Sequence, residues 1–142
     1  DGSVLLEREF RYPLNSWCVS LPAGLVDAGE SLEEAVAREL YEETGYRLRN
    51  DVDVPVRPLP QPGFSSTGLA EENVHVVFAH VEPGGAAAPE AAELIEPFVL
   101  PRHQIRAFLD ANTTPIGTRC QLILEMLVCG GEGYPASSGV EK

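Results

Sequence analysis

The sequence predicts an α/β fold with a mixed sheet, that is, an α+β order of elements along the chain. Strand-like and helix-like segments follow one another without the regular strand–helix–strand repeat of a parallel fold. A single amphipathic helix with clear start and stop signals separates two groups of strands. Residues 74–81 are the most β-branched segment of the chain, which predicts a central strand after that helix.

The other elements can be placed around these two. In chain order they are strands at 3–12, 17–21, 52–56 and 94–100, and helices at 102–110 and 118–128. Pro13 and Pro22 close the first two strands, and Pro97 assigns the last strand to a sheet edge. The predicted domain covers residues 1–129, and the Gly-, Ser- and Pro-rich residues 130–142 are expected to form a disordered tail.

Composition limits the classes of function. With 22 acidic and 10 basic residues among 142, the formal charge is −12. This disfavours nucleic-acid binding, which depends on clustered Lys and Arg. No apolar run approaches the ~20 residues that span a bilayer. We therefore expect a protein without nucleic-acid or membrane partners, in which metal ions would have to mediate contact with any anionic substrate.

Two further features bear on the origin of the chain. Cys18, Cys120 and Cys129 are odd in number and lack metal-ligand spacing, which predicts reduced thiols and a cytoplasmic protein. The chain opens at Asp1 without a signal-peptide pattern. It also lacks an initiator Met and enters a strand at once, so we expect a fragment, a processed form or the ordered part of a longer chain.

The helix after the first strands is unusually acidic. Ser31 and Glu34 form a capping-box pattern, and Gly45 supplies a left-handed stop, so the predicted helix covers residues 32–44. Its inner face begins apolar and ends acidic. At 100° per residue that face consists of Leu32, Ala35, Val36, Glu39, Glu42 and Glu43.

Three carboxylates at this spacing repel one another and oppose the helix dipole. They indicate either a site for Mg²⁺ or Mn²⁺, which prefer oxygen ligands, or a solvated acidic face. Spacing alone favours neither. Arg38 lies within i, i+4 reach of both Glu34 and Glu42, either as an organiser of the cluster or as a surface ion pair of little energetic value.

The segment from Gly24 to Tyr46 resembles the Nudix box, GX5EX7REUXEEXGU. Gly24, Glu30 and the run Arg38-Glu39-Leu40-Tyr41-Glu42-Glu43-Thr44-Gly45 fill the fixed positions. Tyr46 stands where an aliphatic residue is commoner. The resemblance implies a Nudix α/β/α sandwich with a loop–helix–loop motif.

The resemblance extends beyond the box to the branch that hydrolyses ADP-ribose and nucleoside diphosphate sugars. It is carried by segments 10–13, 21–27, 29–30 and 68–72, and by Pro62, which lies sixteen residues after the box. It implies diphosphate hydrolysis to a nucleoside monophosphate and a sugar phosphate. The alternatives are hydrolysis of UDP-sugars or dinucleotides, or a non-catalytic module that senses a nucleotide.

The resemblance also implies roles for individual residues. Divalent metal, Mg²⁺ or Mn²⁺, would be held by Glu39, Glu42 and Glu43 and by a backbone carbonyl of Ala23 or Gly24. Glu30, Arg38 and Gly45 would maintain the shape of the motif. Catalytic roles fall to Glu43 and to a loop glutamate that positions or deprotonates water. Glu93 fits that last role best and Glu90 second, although a charged loop without such a role would have the same composition.

Substrate contacts are also predicted from the branch. Arg11 could bind a phosphate or be an ordinary surface residue. Tyr12 and Trp17 could stack on a base, although core packing also accounts for Trp17. Gly68 and Leu69 belong to the branch's substrate loop. The branch further implies a homodimer.

Overall fold

The computed structural model describes residues 2–88 and 94–130. These residues fall into two compact units, one of residues 2–47, 83–88 and 94–130 and the other of residues 48–82. The predicted domain limits at residues 129 and 130 remain predictions, because residues 131–142 lie outside the described part. Among the described residues, no helix has both the length and the apolar character needed to span a membrane.

Nine strands and three α-helices are described. The strands are β1 (Val4–Arg11), β2 (Ser16–Ser20), β3 (Tyr46–Leu48), β4 (Val56–Pro58), β5 (Gly63–Phe64), β6 (Asn73–Val74), β7 (Val77–Ala79), β8 (Val81–Pro83) and β9 (Ile95–Leu100). The helices are α1 (Leu32–Thr44), α2 (Ile105–Ala111) and α3 (Thr118–Val128). The predicted α/β class is therefore confirmed.

A three-stranded sheet organises the first unit, in the order β2-β1-β9. Both neighbours pair antiparallel with β1, and a parallel bridge joins Val19 to Ile116. Because β1 lies between two strands, its backbone is hydrogen-bonded on both sides, and both faces of the strand can be covered. Within the described sheet β9 is an edge strand, as the presence of Pro97 predicted.

The hydrophobic core of this unit lies between the sheet and the last two helices. Its members are fully or almost fully buried: Leu6, Val19, Leu100, Ile105, Cys120 and Leu124. Phe98 and Phe108 pack against this cluster, with ring centroids 6.1 Å apart. The core therefore fixes β1 and β2, the strands that precede the acidic helix.

Two strand predictions in the second unit were wrong. The single strand predicted over residues 74–81 is three short strands, because β6 pairs with β5, β7 with β4, and β8 with β3. Each piece has a different partner, so no continuous ladder forms. The weak strand predicted at 52–56 is displaced towards the C-terminus and appears as β4, opposite β7.

Candidate active site

The acidic helix α1 is fixed at both ends by specific residues. Ser31 Oγ accepts a hydrogen bond from the Glu34 N–H at 3.2 Å, and the Glu34 carboxylate accepts one from the Ser31 N–H at 2.8 Å. Gly45 ends the helix at φ +71°, and a Cβ there would lie 2.5 Å from the carbonyl oxygen of Gly85. The predicted capping box and glycine stop are confirmed, and they determine where the acidic residues begin and end.

Arg38 ties the helix to the loop that precedes it. Its Nε and Nη2 each donate to the Glu30 carboxylate at 2.9 Å. Its Nη1 donates to Glu39 at 2.8 Å and to Glu42 at 3.4 Å, and Nη2 also donates to the Leu25 carbonyl at 2.9 Å. The hydrogen bonds that Arg38 donates to Glu30 itself lower the pKa of Glu30 to about 2. A planar guanidinium with five donors suits such an arrangement, in which one side chain connects several acceptors.

Two of the helix carboxylates lie directly against the backbone of that loop. The Leu25 N–H donates to Glu39, and the Ala23 N–H donates to Glu43, each at 3.1 Å. A Cβ on Gly24 would lie 1.9 Å from the carboxyl carbon of Glu39, so a larger residue there would displace that carboxylate. The structure thus brings Ala23 and Gly24 together with Glu39 and Glu43, four of the five residues for which the Nudix resemblance implied metal binding.

The end of α1 and the loop before it offer the oxygen atoms that a divalent cation would bind. The described residues contain no group of three or more His, Cys, Asp or Glu side chains at metal-binding spacing. The carboxylates of Glu39 and Glu43 accept backbone N–H groups, and that of Glu42 faces Arg38. The donor chemistry nevertheless fits a hard divalent cation, because carboxylate oxygens are its preferred ligands.

Sequence reasoning missed one acidic residue, Glu7. It is 1% exposed in β1, and its Oε1 accepts a hydrogen bond from Ser20 Oγ at 3.1 Å. Burial raises the pKa of Glu7 to about 7, and the Glu43 carboxyl is among the groups that act on it. The available signal was an acidic residue directly after the apolar run 4–6, in a strand whose central position the sequence did not reveal.

Arg11 lies on the same face of β1 as Glu7. Side chains alternate along a strand, so residues 7, 9 and 11 share one face. Arg11 forms an ion pair with Glu9 at 2.8 Å, and half of its side chain is exposed. A guanidinium on this face could bind a phosphate, and its role stays a prediction.

The aromatic candidates lie on the other side of the strand. Trp17 is directly opposite Phe10, and the two rings meet edge to face with centroids 6.0 Å apart. The rings of Tyr12 and Phe10 also meet, with centroids 5.3 Å apart, but Tyr12 is 70% exposed. The structure therefore does not bring Trp17 to the face that carries Glu7. Base stacking by Tyr12 or Trp17 remains untested.

Gly68 and Leu69 belong to the unit of residues 48–82. The Leu69 N–H donates to the Ser66 carbonyl at 3.0 Å, and the Leu69 side chain is 91% exposed. The segment is therefore a surface turn with an exposed apolar side chain. Its predicted contact with substrate remains a prediction.

The predicted catalytic residues Glu93 and Glu90 lie outside the described residues. The residues that flank them are described: the Ala88 N–H donates to the Glu42 carbonyl at 2.8 Å, and the Phe10 N–H donates to the Leu94 carbonyl at 3.0 Å. The glutamate that follows, Glu96, lies in β9 opposite Arg8 and is exposed. The choice between Glu93 and Glu90 stays open.

Comparison with known proteins identifies the family. The model of the NUDIX domain matches residues 1–118. An ADP-ribose pyrophosphatase of Saccharomyces cerevisiae is 42% identical over 73 residues, covering 51% of this chain and 31% of the relative. An ADP-sugar pyrophosphatase of Mus musculus is 33% identical over 114 residues, covering 76% of this chain and 50% of the relative.

A solved structure supports the fold. A crystal structure described as an ADP compounds hydrolase superposes with a TM-score of 0.71 at 24% identity, covering 92% of this chain and 66% of that one. The chain belongs to the Nudix family, and the predicted membership is confirmed. It spans half or less of the length of the two curated relatives.

Proposed function

We propose that this chain hydrolyses the diphosphate bond of ADP-ribose or a related nucleoside diphosphate sugar, with a divalent metal ion as cofactor. The products are a nucleoside monophosphate and a sugar phosphate. The observation that carries the proposal is the contact of the Glu39 and Glu43 carboxylates with the loop backbone at Ala23–Leu25. The names of the relatives, an ADP-ribose and an ADP-sugar pyrophosphatase, support the substrate class.

The residues of the Nudix box would hold the cation. Glu39, Glu42 and Glu43 would supply carboxylate oxygens, with a backbone carbonyl of Ala23 or Gly24. A bound Mg²⁺ or Mn²⁺ would neutralise the diphosphate and lower the pKa of a water molecule for in-line attack at phosphorus. The net charge of −12 supports such a mediator, because a bound cation offsets the repulsion between an acidic protein and an anionic substrate.

The surrounding residues position these groups. Arg38 holds Glu30, Glu39 and the Leu25 carbonyl in fixed relation, so the loop keeps its distance from the helix. Arg11 would bind a phosphate of the substrate from the face of β1 that carries Glu7. A glutamate between β8 and β9 in the sequence, Glu93 or Glu90, would position the attacking water or take its proton.

Turnover of three substrates tests the proposal. ADP-ribose, UDP-glucose and a dinucleoside polyphosphate are offered with Mg²⁺ and with EDTA, and the nucleotide products are separated and quantified by anion-exchange chromatography. We expect metal-dependent cleavage, fastest for ADP-ribose, and a loss of more than about 100-fold in Glu43→Gln. The Gln oxygen can still accept the Ala23 N–H, so the fold should persist in that variant. Glu125→Gln removes a carboxylate of α3 from a surface ion pair with Arg106 of α2, and it should keep wild-type turnover.

Each other outcome is informative. Faster cleavage of UDP-glucose or of the dinucleotide keeps the chemistry and overturns the substrate. Binding of ADP-ribose without cleavage, in a chain whose Glu43→Gln variant behaves identically, would favour a nucleotide-sensing module instead.

We further propose that the protein acts in the cytoplasm as a homodimer without nucleic-acid or membrane partners. The excess of acidic residues supports the absence of nucleic-acid partners. Light scattering coupled to size exclusion tests the assembly: a mass near 15.3 kDa would indicate a monomer, and twice that mass a dimer.

A further inference from the structure

Glu7 is a buried acidic side chain with an incomplete set of partners. Its neighbour across the sheet, Ser20, donates a hydrogen bond to Oε1. Oε2 is buried and has no hydrogen-bond donor among the described residues. The residue as a whole is 1% exposed, so bulk water does not supply the missing partner.

Such a carboxylate costs free energy unless something compensates for it. Moving a charged group out of water is unfavourable by several kcal/mol. A buried charge without a partner destabilises a protein more than a hydrophobic side chain of similar size in the same place. A Val or Ile would fill the same position of a central strand without this cost. Packing therefore does not account for Glu7.

The position of Glu7 indicates what would compensate for it. It shares a face of β1 with Arg11, and the carboxyl of Glu43 is near enough to act on it. Glu43 is itself buried, 4% exposed, with one oxygen directed at the Ala23 N–H. The carboxyl groups of Glu7 and Glu43 act on one another directly. When both are ionised they repel one another, and a cation beside them would offset both charges.

We propose that Glu7 is an additional oxygen ligand, bound directly or through one water molecule, of the divalent cation held by the Nudix helix. The inference rests on the proposed function, since it assigns a further residue to the same cation. It places one ligand on β1, outside the loop–helix–loop motif, so that the cation would tie the sheet to α1.

Cation binding by the full chain without substrate tests the proposal independently of turnover. Mn²⁺ is titrated into metal-free protein, and free Mn²⁺ is followed by its electron paramagnetic resonance signal. We expect Glu7→Gln to raise the dissociation constant by about 10- to 100-fold. The amide keeps the shape of the side chain and retains an oxygen that can accept the hydrogen bond from the Ser20 hydroxyl. Glu125→Gln, with the same loss of charge in α3, should bind Mn²⁺ as the wild type does.

Glu39→Gln separates the two proposals within the same titration. If it binds Mn²⁺ as tightly as the wild type, the box is not the cation site and the proposed function fails. If Glu39→Gln weakens binding and Glu7→Gln does not, only the assignment of Glu7 is overturned, and Glu7 is then a partner that shares a proton with Glu43.

A second variant guards against misfolding of the first. Glu7→Leu replaces the carboxylate by hydrocarbon of similar size, so the metal-free protein should melt no lower than the wild type. The rise in melting temperature that Mn²⁺ gives the wild type should shrink in this variant. An undiminished rise would overturn the proposal.

Discussion

Two neighbouring residues on opposite faces of β1 are buried to the same extent and have opposite chemistry. Leu6, at 0% exposure, joins the cluster formed with Val19, Ile105 and Leu124. The next residue, Glu7, at 1% exposure, meets Ser20 and the acidic end of α1. One face of a single strand therefore stabilises the fold, and the other gives up stability to hold polar groups at the candidate site.

This difference shows why burial alone does not report stabilisation. An apolar side chain gains free energy when it leaves water, by about 1.5–3 kcal/mol for a Leu. A carboxylate loses free energy unless partners replace the water. If the polar face serves the site, changes on the two faces should separate stability from cation binding.

The largest expected effect on stability is on the apolar face. Leu6→Ala should lower the free energy of unfolding by about 2–5 kcal/mol, because a cavity opens beside Val19 and Leu124. Urea unfolding followed by circular dichroism measures this loss. The folded fraction should bind Mn²⁺ as the wild type does.

A matched variant gives the baseline for that loss. Leu122→Ala makes the same chemical change at a residue that is 64% exposed, and it should stay within about 0.5 kcal/mol of wild type. The comparison of the two faces breaks down if Leu6→Ala weakens Mn²⁺ binding as much as Glu7→Gln does.

A smaller effect is expected on the polar face of the sheet. Ser20→Ala removes the hydroxyl that donates to Glu7 Oε1 at 3.1 Å, beside an Oε2 that has no hydrogen-bond partner among the described residues. The metal-free protein should lose about 1–3 kcal/mol in the free energy of unfolding, the usual cost of an unsatisfied buried group.

Ser16→Ala is the control for this variant. Ser16 is in the same strand, and its hydroxyl donates to the adjacent Trp17 carbonyl. Its replacement should change stability by less than about 0.5 kcal/mol. Equal losses in the two variants would mean that the hydrogen bond to Glu7 has no special weight.

The contrast between the two faces also explains what the sequence could reveal. The helix limits, the capping box and the glycine stop were predicted correctly, because they depend on residues within a few positions of one another. Glu39, Glu42 and Glu43 were grouped for the same reason, since helical spacing places them on one face. Local patterns carried both predictions.

Features that depend on distant partners were not readable. Glu7 is buried because β1 lies between β2 and β9, and β9 comes about ninety residues later in the chain. The segment 74–81 has the composition of one strand but divides among three partners. In both cases the decisive contact is made by residues far away in sequence, which no local pattern specifies.

The smallest effect concerns the exposed edge of the site, where Glu30 contrasts with Glu7. Hydrogen bonds from Arg38 lower the pKa of Glu30 from 4.5 to about 2, whereas burial raises that of Glu7. A carboxyl group with a lowered pKa stabilises the fold when it is ionised. Its contribution is therefore complete above about pH 4.5 and is lost as the pH falls towards 2.

Thermal unfolding at pH 6, 4, 3 and 2.5 measures this loss in wild type and in Glu30→Gln. The wild type should melt higher than Glu30→Gln at pH 6. The difference should shrink as the pH falls below about 4.5, because the carboxyl of the unfolded wild type then takes up a proton before that of the folded protein does. Glu125→Gln serves as the control, since its ion pair with Arg106 is surface-exposed and typical of pairs that contribute little. A difference between wild type and Glu30→Gln that stays constant from pH 6 to 2.5 would show that Arg38 holds the loop by shape rather than by charge.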